Sequence, residues 1–252
     1  GVDPARLRKA PLGINHSFFT PEGNKYSLTS ADGLFTFLSV GEWNSRKGFE
    51  FLIKAFVQEF SIVDGVCLVL KCHRNGSDYD HTGKTIKKEI NLLIRKENKI
   101  DPPPIYLVPQ TIPSQEMPSL YRMADCFVSA TRGEGWSMPV FEALLCGAPV
   151  ITTNWSAYLD YLNNDNAYLI DVEELEPIPP QGITVDEIYV GHRWARPSVN
   201  HLRFLMRHVY ENHGEAKEKA FRGQNIVKKK ISWKACARQI IEYFREFAGQ
   251  QS

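Results

Sequence analysis

The sequence predicts an α/β protein built on a doubly wound, parallel sheet. Three observations predict it. Short apolar runs alternate with longer amphipathic ones, the short runs show little in-out alternation, and the two most unusual loops follow the first and fourth of those runs. Strands that are apolar at consecutive positions suit a sheet covered on both faces. A β-α-β-α series implies right-handed crossovers with helices on either side. With 252 residues and 43% hydrophobic content, the chain can bury the core of one large domain or two small ones.

Six strands are expected in order: "LFTFLSV" (34–40), "VCLVLKC" (66–72), "IYLV" (105–108), "CFVSA" (126–130), "PVITT" (149–153) and "AYLIDV" (167–172). Between the first two, "KGFEFLIKAFVQEF" carries apolar residues at 49, 52, 53, 56, 57 and 60, the spacing of one helix face. "GKTIKKEINLLIRKENK" is the next helix. In "SQEMPSLYRMA" Pro118 limits the helix to a short or bent one, and "PVFEALLC" follows. The commonest order for six such strands is 3-2-1-4-5-6. It makes strands 1 and 4 neighbours and puts the ligand crevice outside their carboxyl ends.

Past strand 6, the acidic, proline-rich "DVEELEPIPPQG" reads as a surface loop. "RPSVNHLRFLMRHVYENH" (196–213) reads as an amphipathic helix, continued by "GEAKEKAFRGQNIVKKK" with Gly223 as its weak point. "SWKACARQIIEYFREFAG" makes a last helix, with Ser232 as its N-cap.

The totals exclude several classes. Thirty Lys and Arg stand against 29 Asp and Glu, so nothing global points to nucleic acid or to an acidic membrane surface. The runs "KTIKKE" and "VKKKI" read as solvated helix faces. The five cysteines (Cys67, Cys72, Cys126, Cys146, Cys236) show no CxxC pair and no Cys/His ligand spacing. They read as reduced residues of a cytoplasmic protein, not as a disulfide frame or a metal site. No apolar run approaches the length of a membrane span. No signal peptide is visible, and the chain starts "GVDPARL" without a Met, which suggests a fragment or a processed form.

The crevice loops are "GEWNSRKG" (41–48) and "TRGEGWSMP" (131–139). Pro139 suits the first position of a helix, where its missing N–H costs nothing. The amides around Trp136 to Met138 then face the crevice at the positive end of the helix dipole, an arrangement suited to phosphate. Gly133 and Gly135 permit a sharp turn and a close ligand approach. A carboxylate beside a diphosphate would repel it, so Glu134 and Glu142 must serve hydroxyl pairs, which ionised carboxylates accept two at a time. A ribose and a hexose flank the diphosphate of a nucleotide-sugar and supply such pairs. Arg46 and Lys47, on the opposite loop, can neutralise the diphosphate and stabilise it as a leaving group. Each feature also has a plainer reading: surface charge for Arg46 and Lys47, and a favourable helix-dipole position for Glu142.

These residues resemble a known family. "GEGWSMPVFEALLCGAPVI" is similar to the acid-x7-acid signature of retaining glycosyltransferases of the two-domain GT-B class, family 4. "FLSVGEWNSRKGFEFLIKAF" resembles that family's first phosphate loop and helix, and "KAPLGINHSFFTP" its interdomain segment, with Gly13, Ile14 and Asn15 where Gly-hydrophobic-Asp is usual. "ADCFVSATRGEGW" and "ISWKACARQIIEYF" also match. The resemblance implies the Rossmann-like C-terminal, donor-binding half of such an enzyme. Residues 1–30 would be the interdomain segment, 31–230 the donor-binding domain, and 231–252 a helix that packs on an N-terminal domain absent from this chain. It implies that Glu134 holds donor-sugar hydroxyls and, with Lys47, serves catalysis. Glu142 would hold the ribose and Lys47 the diphosphate, while Gly135, Trp136, Ser137 and Met138 meet sugar and phosphates through their backbone. Where the family usually has Arg after the loop's first Gly this chain has Glu42, and Arg46 is the expected substitute. Where the family often has a Gly after strand 2, "LKCHRNG" stands instead.

The function expected is transfer of a hexose from a UDP-sugar or GDP-sugar to an acceptor hydroxyl on a glycan, lipid or protein. No metal or cofactor is expected, and location is cytoplasmic with peripheral membrane association open. Base recognition is expected around "VPQTIP" (108–113). The alternatives are a nucleotide-sugar-binding module without catalysis of its own, or another enzyme of this fold such as an epimerase. A dinucleotide oxidoreductase is poorer, because no GxGxxG follows strand 1.

Overall fold

A computed structural model describes residues 2–4, 7–74, 82–178 and 191–249. Six strands form one parallel sheet: β1 (Phe35–Glu42), β2 (Val66–His73), β3 (Ile105–Val108), β4 (Cys126–Ser129), β5 (Val150–Thr153) and β6 (Tyr168–Ile170). Their order is β3-β2-β1-β4-β5-β6, with β1 pairing β2 on one side and β4 on the other. That is the order expected from the sequence. Helices α1 (Phe49–Glu59), α2 (Lys84–Lys96), α3 (Met117–Met123) and α4 (Met138–Leu145) follow β1, β2, β3 and β4 in turn. Next come α5 (Val199–Glu211), α6 (His213–Lys230) and α7 (Trp233–Gly249).

The sheet separates two apolar cores, as the unbroken apolar strands require. On one face, Phe37, Leu68 and Leu70 pack against α1, α2 and α5. On the other, Leu38, Val69 and Phe127 pack against α3, α4 and α6. Every apolar position noted for the first helix is buried: Phe49, Leu52, Ile53, Phe56, Val57 and Phe60. Pro118 sits in the first turn of the short α3, after a single 3₁₀ turn at Ser114–Glu116. All five cysteines are free and buried.

Three expectations are corrected. The stretch read as a surface loop after β6 contains a strand, β7 (Val172–Pro177), paired antiparallel with β8 (Arg193–Pro197); the "PPQG" end of that stretch, from Pro179, lies outside the described residues. The last expected strand stops at Ile170, and Val172 already belongs to this hairpin. Gly223 does not weaken α6, which runs through it. A Cβ there would stand 2.7 Å from the Asn166 carbonyl oxygen and 2.9 Å from Leu144 Cδ2. Gly223 is what lets α6 lie against α4 and the turn before β6.

Ser232 caps α7 as expected, its hydroxyl accepting from the Ala235 amide at 3.2 Å. The N-terminal residues from Lys9 to Ile14 run along this end of the molecule. The Ile14 amide donates to the Ile231 carbonyl at 2.8 Å, and Gly13 lies so near Trp233 that a Cβ would be 2.5 Å from its ring. Tyr243 donates to the Lys9 carbonyl at 3.1 Å. Among the described residues no helix is long and apolar enough to cross a membrane.

Candidate functional site

The loops after β1 and β4 meet at the switch point and are held together by backbone. The Arg132 amide donates to the Arg46 carbonyl at 2.8 Å. Gly48 has φ 66°, and a Cβ on it would stand 2.0 Å from the Ala130 carbonyl oxygen. No other residue fits that contact. The Lys47 amide donates to Asn44 Oδ1 at 3.1 Å, which fixes the turn ahead of α1. Gly41 leaves room for the Lys47 stem, whose Cδ would lie 3.3 Å from a Cβ there.

Glu134 is the hub of the site. Lys47 Nζ lies 2.7 Å from its Oε1 and Arg46 Nη1 3.0 Å from its Oε2. The Thr131 hydroxyl donates to Oε1 at 3.0 Å, and the Glu134 amide donates to Ser156 Oγ at 2.9 Å. Arg46 Nη1 also donates to the Gly133 carbonyl at 2.6 Å. The Glu134 side chain is 6% exposed and that of Lys47 15%. Two cations therefore share one carboxylate, which leaves one unit of positive charge within this three-residue cluster. Ser137 (φ 64°) and Ser156 (φ 93°), which flank this cluster, are two of the three non-glycine residues with positive φ among those described. Such conformations are sparsely populated and persist where surrounding structure holds them.

Helix α4 starts one residue earlier than expected: Met138 is its first residue and Pro139 its second. The left-handed Ser137 turns the chain into the helix, and a proline at the second position still removes only an amide that has no intrahelical acceptor. The amides of Gly135, Trp136, Ser137 and Met138 have no acceptor among the described residues. They lie at the positive end of α4, as an anion site requires. A Cβ on Gly135 would meet nothing within 4 Å, so that backbone is open. The Trp136 ring packs 5.5 Å from Phe141 and 5.6 Å from Tyr161, which leaves its backbone at the opening.

Glu142 lies about one turn into α4. Its Oε2 accepts from the Tyr121 hydroxyl at 2.5 Å, while Oε1 has no protein partner among the described residues. Burial raises the Glu142 carboxyl above its ordinary range, against the opposing effect of that hydrogen bond. Burial and the neighbouring carboxylate together push the Tyr121 phenol well above its own. Glu42, the residue at the family's usual Arg position, ends β1 and accepts from Asn44 Nδ2 at 3.1 Å.

The structure thus gathers Arg46, Lys47 and Glu134 in one cluster beside the open amides of 135–138, and keeps Glu142 apart on Tyr121. Sequence reasoning missed Tyr121, Thr131, Arg132 and Ser156. Thr131 and Arg132 sit inside the loop that drew attention. Tyr121 and Ser156 come from distant positions and carry no local signal. Arg132 lies beneath the loop, its guanidinium 4.2 Å from the Trp194 ring and 5.3 Å from that of Phe51, ion-paired with Glu176. The Ala195 amide donates to the Arg132 carbonyl at 2.9 Å, so the β7–β8 hairpin props the Glu134 loop from behind. Among the described residues no cluster of three or more His, Cys, Asp or Glu could hold a metal ion.

An open doubly wound sheet with paired cations, a shared acid and a bare helix start at its switch point defines the class: a Rossmann-like α/β domain. Residues 35–177, more than half of the chain, match the family described as Glycosyl transferases group 1, and the chain belongs to that family. Over 67 residues it is 31% identical to O-antigen chain mannosyltransferase B of Escherichia coli, covering 27% of this chain and 17% of that protein. Three solved structures share the fold. Sucrose-phosphate synthase from Thermosynechococcus elongatus superposes with TM-score 0.66 at 22% identity, over 96% of this chain and 53% of that one. The C-terminal domain of a group 1 glycosyl transferase (LpcC) from Francisella tularensis gives 0.64 at 18%, over 88% of this chain and 100% of that one. Anabaena HepE, solved with UDP and glucose, gives 0.66 at 15%, over 93% and 56%. The chain therefore spans about half the length of the sucrose-phosphate synthase and HepE chains.

Proposed function

We propose that this chain is the donor-binding half of a retaining glycosyltransferase that takes a UDP-sugar or GDP-sugar. The observation that carries the reading is the Arg46–Lys47–Glu134 cluster set against the open amides of Gly135 to Met138. The net positive charge and the helix dipole suit a diphosphate. Glu134 offers its carboxylate beside that position to hydroxyls of the sugar, and Glu142 offers its unpartnered Oε1 to the ribose. Membership of the glycosyltransferase family and the likeness to HepE, which was solved with UDP and glucose, support the same assignment.

In this reading the bond between the sugar's anomeric carbon and the diphosphate oxygen breaks, and its electron pair leaves with the diphosphate. Lys47, Arg46 and the amides stabilise that charge as it develops. The acceptor oxygen attacks from the same face, its proton passing to the departing phosphate, so configuration is retained. No metal is required, because the two cations and the helix start supply the counter-charge. The acceptor side would come from a second domain. The exposed Trp233, Ile241 and Phe244 on α7 are its proposed docking face, and efficient transfer is not expected of this chain alone. The domain would act in the cytoplasm.

A thermal-shift panel of nucleoside diphosphates and their sugars tests the reading. A ligand present at about a hundred times its Kd stabilises the fold by about 2.7 kcal/mol. Failure of every nucleoside diphosphate and nucleotide-sugar at millimolar concentration would sink it. A separate turnover assay on this chain tests the alternative, a pure binding module: detectable sugar transfer would sink it.

A further inference from the structure

Lys71 is a buried lysine that the roles assigned above do not use. It stands near the carboxyl end of β2, in register with Val40 of β1. Cys67 and Val69, with the same parity along the strand, belong to the core under α3 and α4, so Lys71 faces that side. The residue is 7% exposed, yet it makes no hydrogen bond or ion pair with any described residue. Most of the side chain is enclosed, and burial lowers its pKa below the ordinary lysine range, while the ammonium is left to the open space beside it. Such a group calls for a ligand that accepts hydrogen bonds.

The space for one is present. Lys71 lines a cavity of about 300 Å³ together with the polar Glu42 and His73, with Gly41, and with the apolar Val40, Ile112 and Met117. The cavity adjoins the proposed nucleotide site at both ends. Gly41 carries the Lys47 stem, and Met117 lies one helical turn before Tyr121, which holds Glu142. A nucleotide with its diphosphate at Lys47 and its ribose at Glu142 brings its base here. Val40, Ile112 and Met117 give it apolar walls that suit the faces of a planar ring. A hexose in the same place would leave several hydroxyls unpaired.

We propose that Lys71 reads the edge of the nucleobase, donating to a keto oxygen, and so selects uracil and guanine over cytosine and adenine. The proposal rests on the nucleotide-sugar reading above. An ammonium has three donors and no acceptor. It pairs with O4 of uracil or O6 of guanine and opposes the amino group that cytosine and adenine carry at the same position. UDP against CDP, and GDP against ADP, are thus size-matched comparisons.

Calorimetry of the whole chain with these four diphosphates, wild type and Lys71→Met, provides the test. In the wild type each keto nucleotide is expected to bind at least about tenfold tighter than its amino counterpart, since a site built around a hydrogen bond rejects an analogue that cannot make it. In Lys71→Met both ratios should fall to within about twofold, with a cooperative thermal transition retained. Measurable binding with flat ratios in the wild type, or ratios unchanged in the variant, overturns the role of Lys71 and leaves the nucleotide-sugar reading standing. No binding by any of the four removes that reading and this one together. If the variant does not fold, the wild-type ratios decide alone.

Discussion

Glu134→Gln keeps the size of the side chain and removes its charge. Lys47 at 2.7 Å and Arg46 at 3.0 Å then lose the anion they share, inside a pocket where Glu134 is 6% exposed. At about 3 Å and an effective dielectric constant near 20, each Coulomb pair amounts to about 5 kcal/mol before desolvation is counted. Measured losses on breaking buried pairs are about 3–5 kcal/mol, and the partial exposure of Arg46 puts this case near the lower end, about 3 kcal/mol. For a chain of this size that is roughly a 6–12 °C fall in Tm. The same change frees both cations for a diphosphate. If release strengthens only one charge-assisted contact by about 1.4 kcal/mol, bare UDP or GDP binds about tenfold tighter. The nucleotide-sugar gains nothing comparable, because the acid meant for its hydroxyls is gone. Differential scanning fluorimetry gives the first quantity and calorimetry the second. The expected signature is a less stable protein that binds the bare diphosphate better. A lower Tm with unchanged or weaker diphosphate binding would refute the idea that Glu134 and the diphosphate share the same cations.

Lys47→Ala is expected to weaken a nucleoside diphosphate by about 1.5–3 kcal/mol and the free nucleoside hardly at all, whereas equal losses would count against a phosphate contact. For Glu142→Gln, the folded carboxyl titrates above its unfolded value of about 4.5, so its contribution is fully present below that pH and is lost as pH rises through the folded pKa. Ionising the buried carboxyl is therefore a cost that grows as pH rises above 4.5, and Glu142→Gln should raise Tm at neutral pH by about 2–4 °C per kcal/mol recovered. That gap should close as pH falls toward 4.5, while nucleotide affinity drops at neutral pH; a pH-independent gap would contradict the burial argument. Gly48→Ala puts a methyl 2.0 Å from the Ala130 carbonyl and should prevent the two loops from closing, costing more than about 2 kcal/mol by denaturant unfolding. Arg132→Ala should loosen the hairpin from the Glu134 loop and weaken nucleotide-sugar binding without touching the ligand; an unchanged Kd would show that the hairpin does not position the loop.

The strand order was legible because each strand is apolar on both faces and each helix on one. Only a doubly wound sheet buries such a pattern, and its switch point falls between β1 and β4. The β7–β8 hairpin was not legible. Its first strand, "VEELEP", is acidic and holds only a half-buried edge. It forms because Arg196 reaches Glu173, Glu174 and Glu176, and because Trp194 covers Arg132. Gly223 misled for a related reason. A glycine inside a helix lowers propensity, but here the close approach of α6 to Asn166 and Leu144 outweighs it.

For the proposed site, the sequence by itself pointed to Arg46, Lys47 and Glu134, which the structure brings together. Acids, cations, glycines and a proline stand at unusual places beside strand ends, and those are local features of composition. What it could not determine is how they are partnered. Glu134 and Glu142 were both assigned to hydroxyl pairs, one of the sugar and one of the ribose, yet one is held by Arg46 and Lys47 from the opposite loop and the other by Tyr121 from a different helix. Lys71 read as part of a strand, and its buried end found meaning only beside the cavity. Partners so distant along the chain are set by strand order and helix packing, so only the tertiary structure decides which carboxylate is neutralised by cations and which lysine faces a cavity.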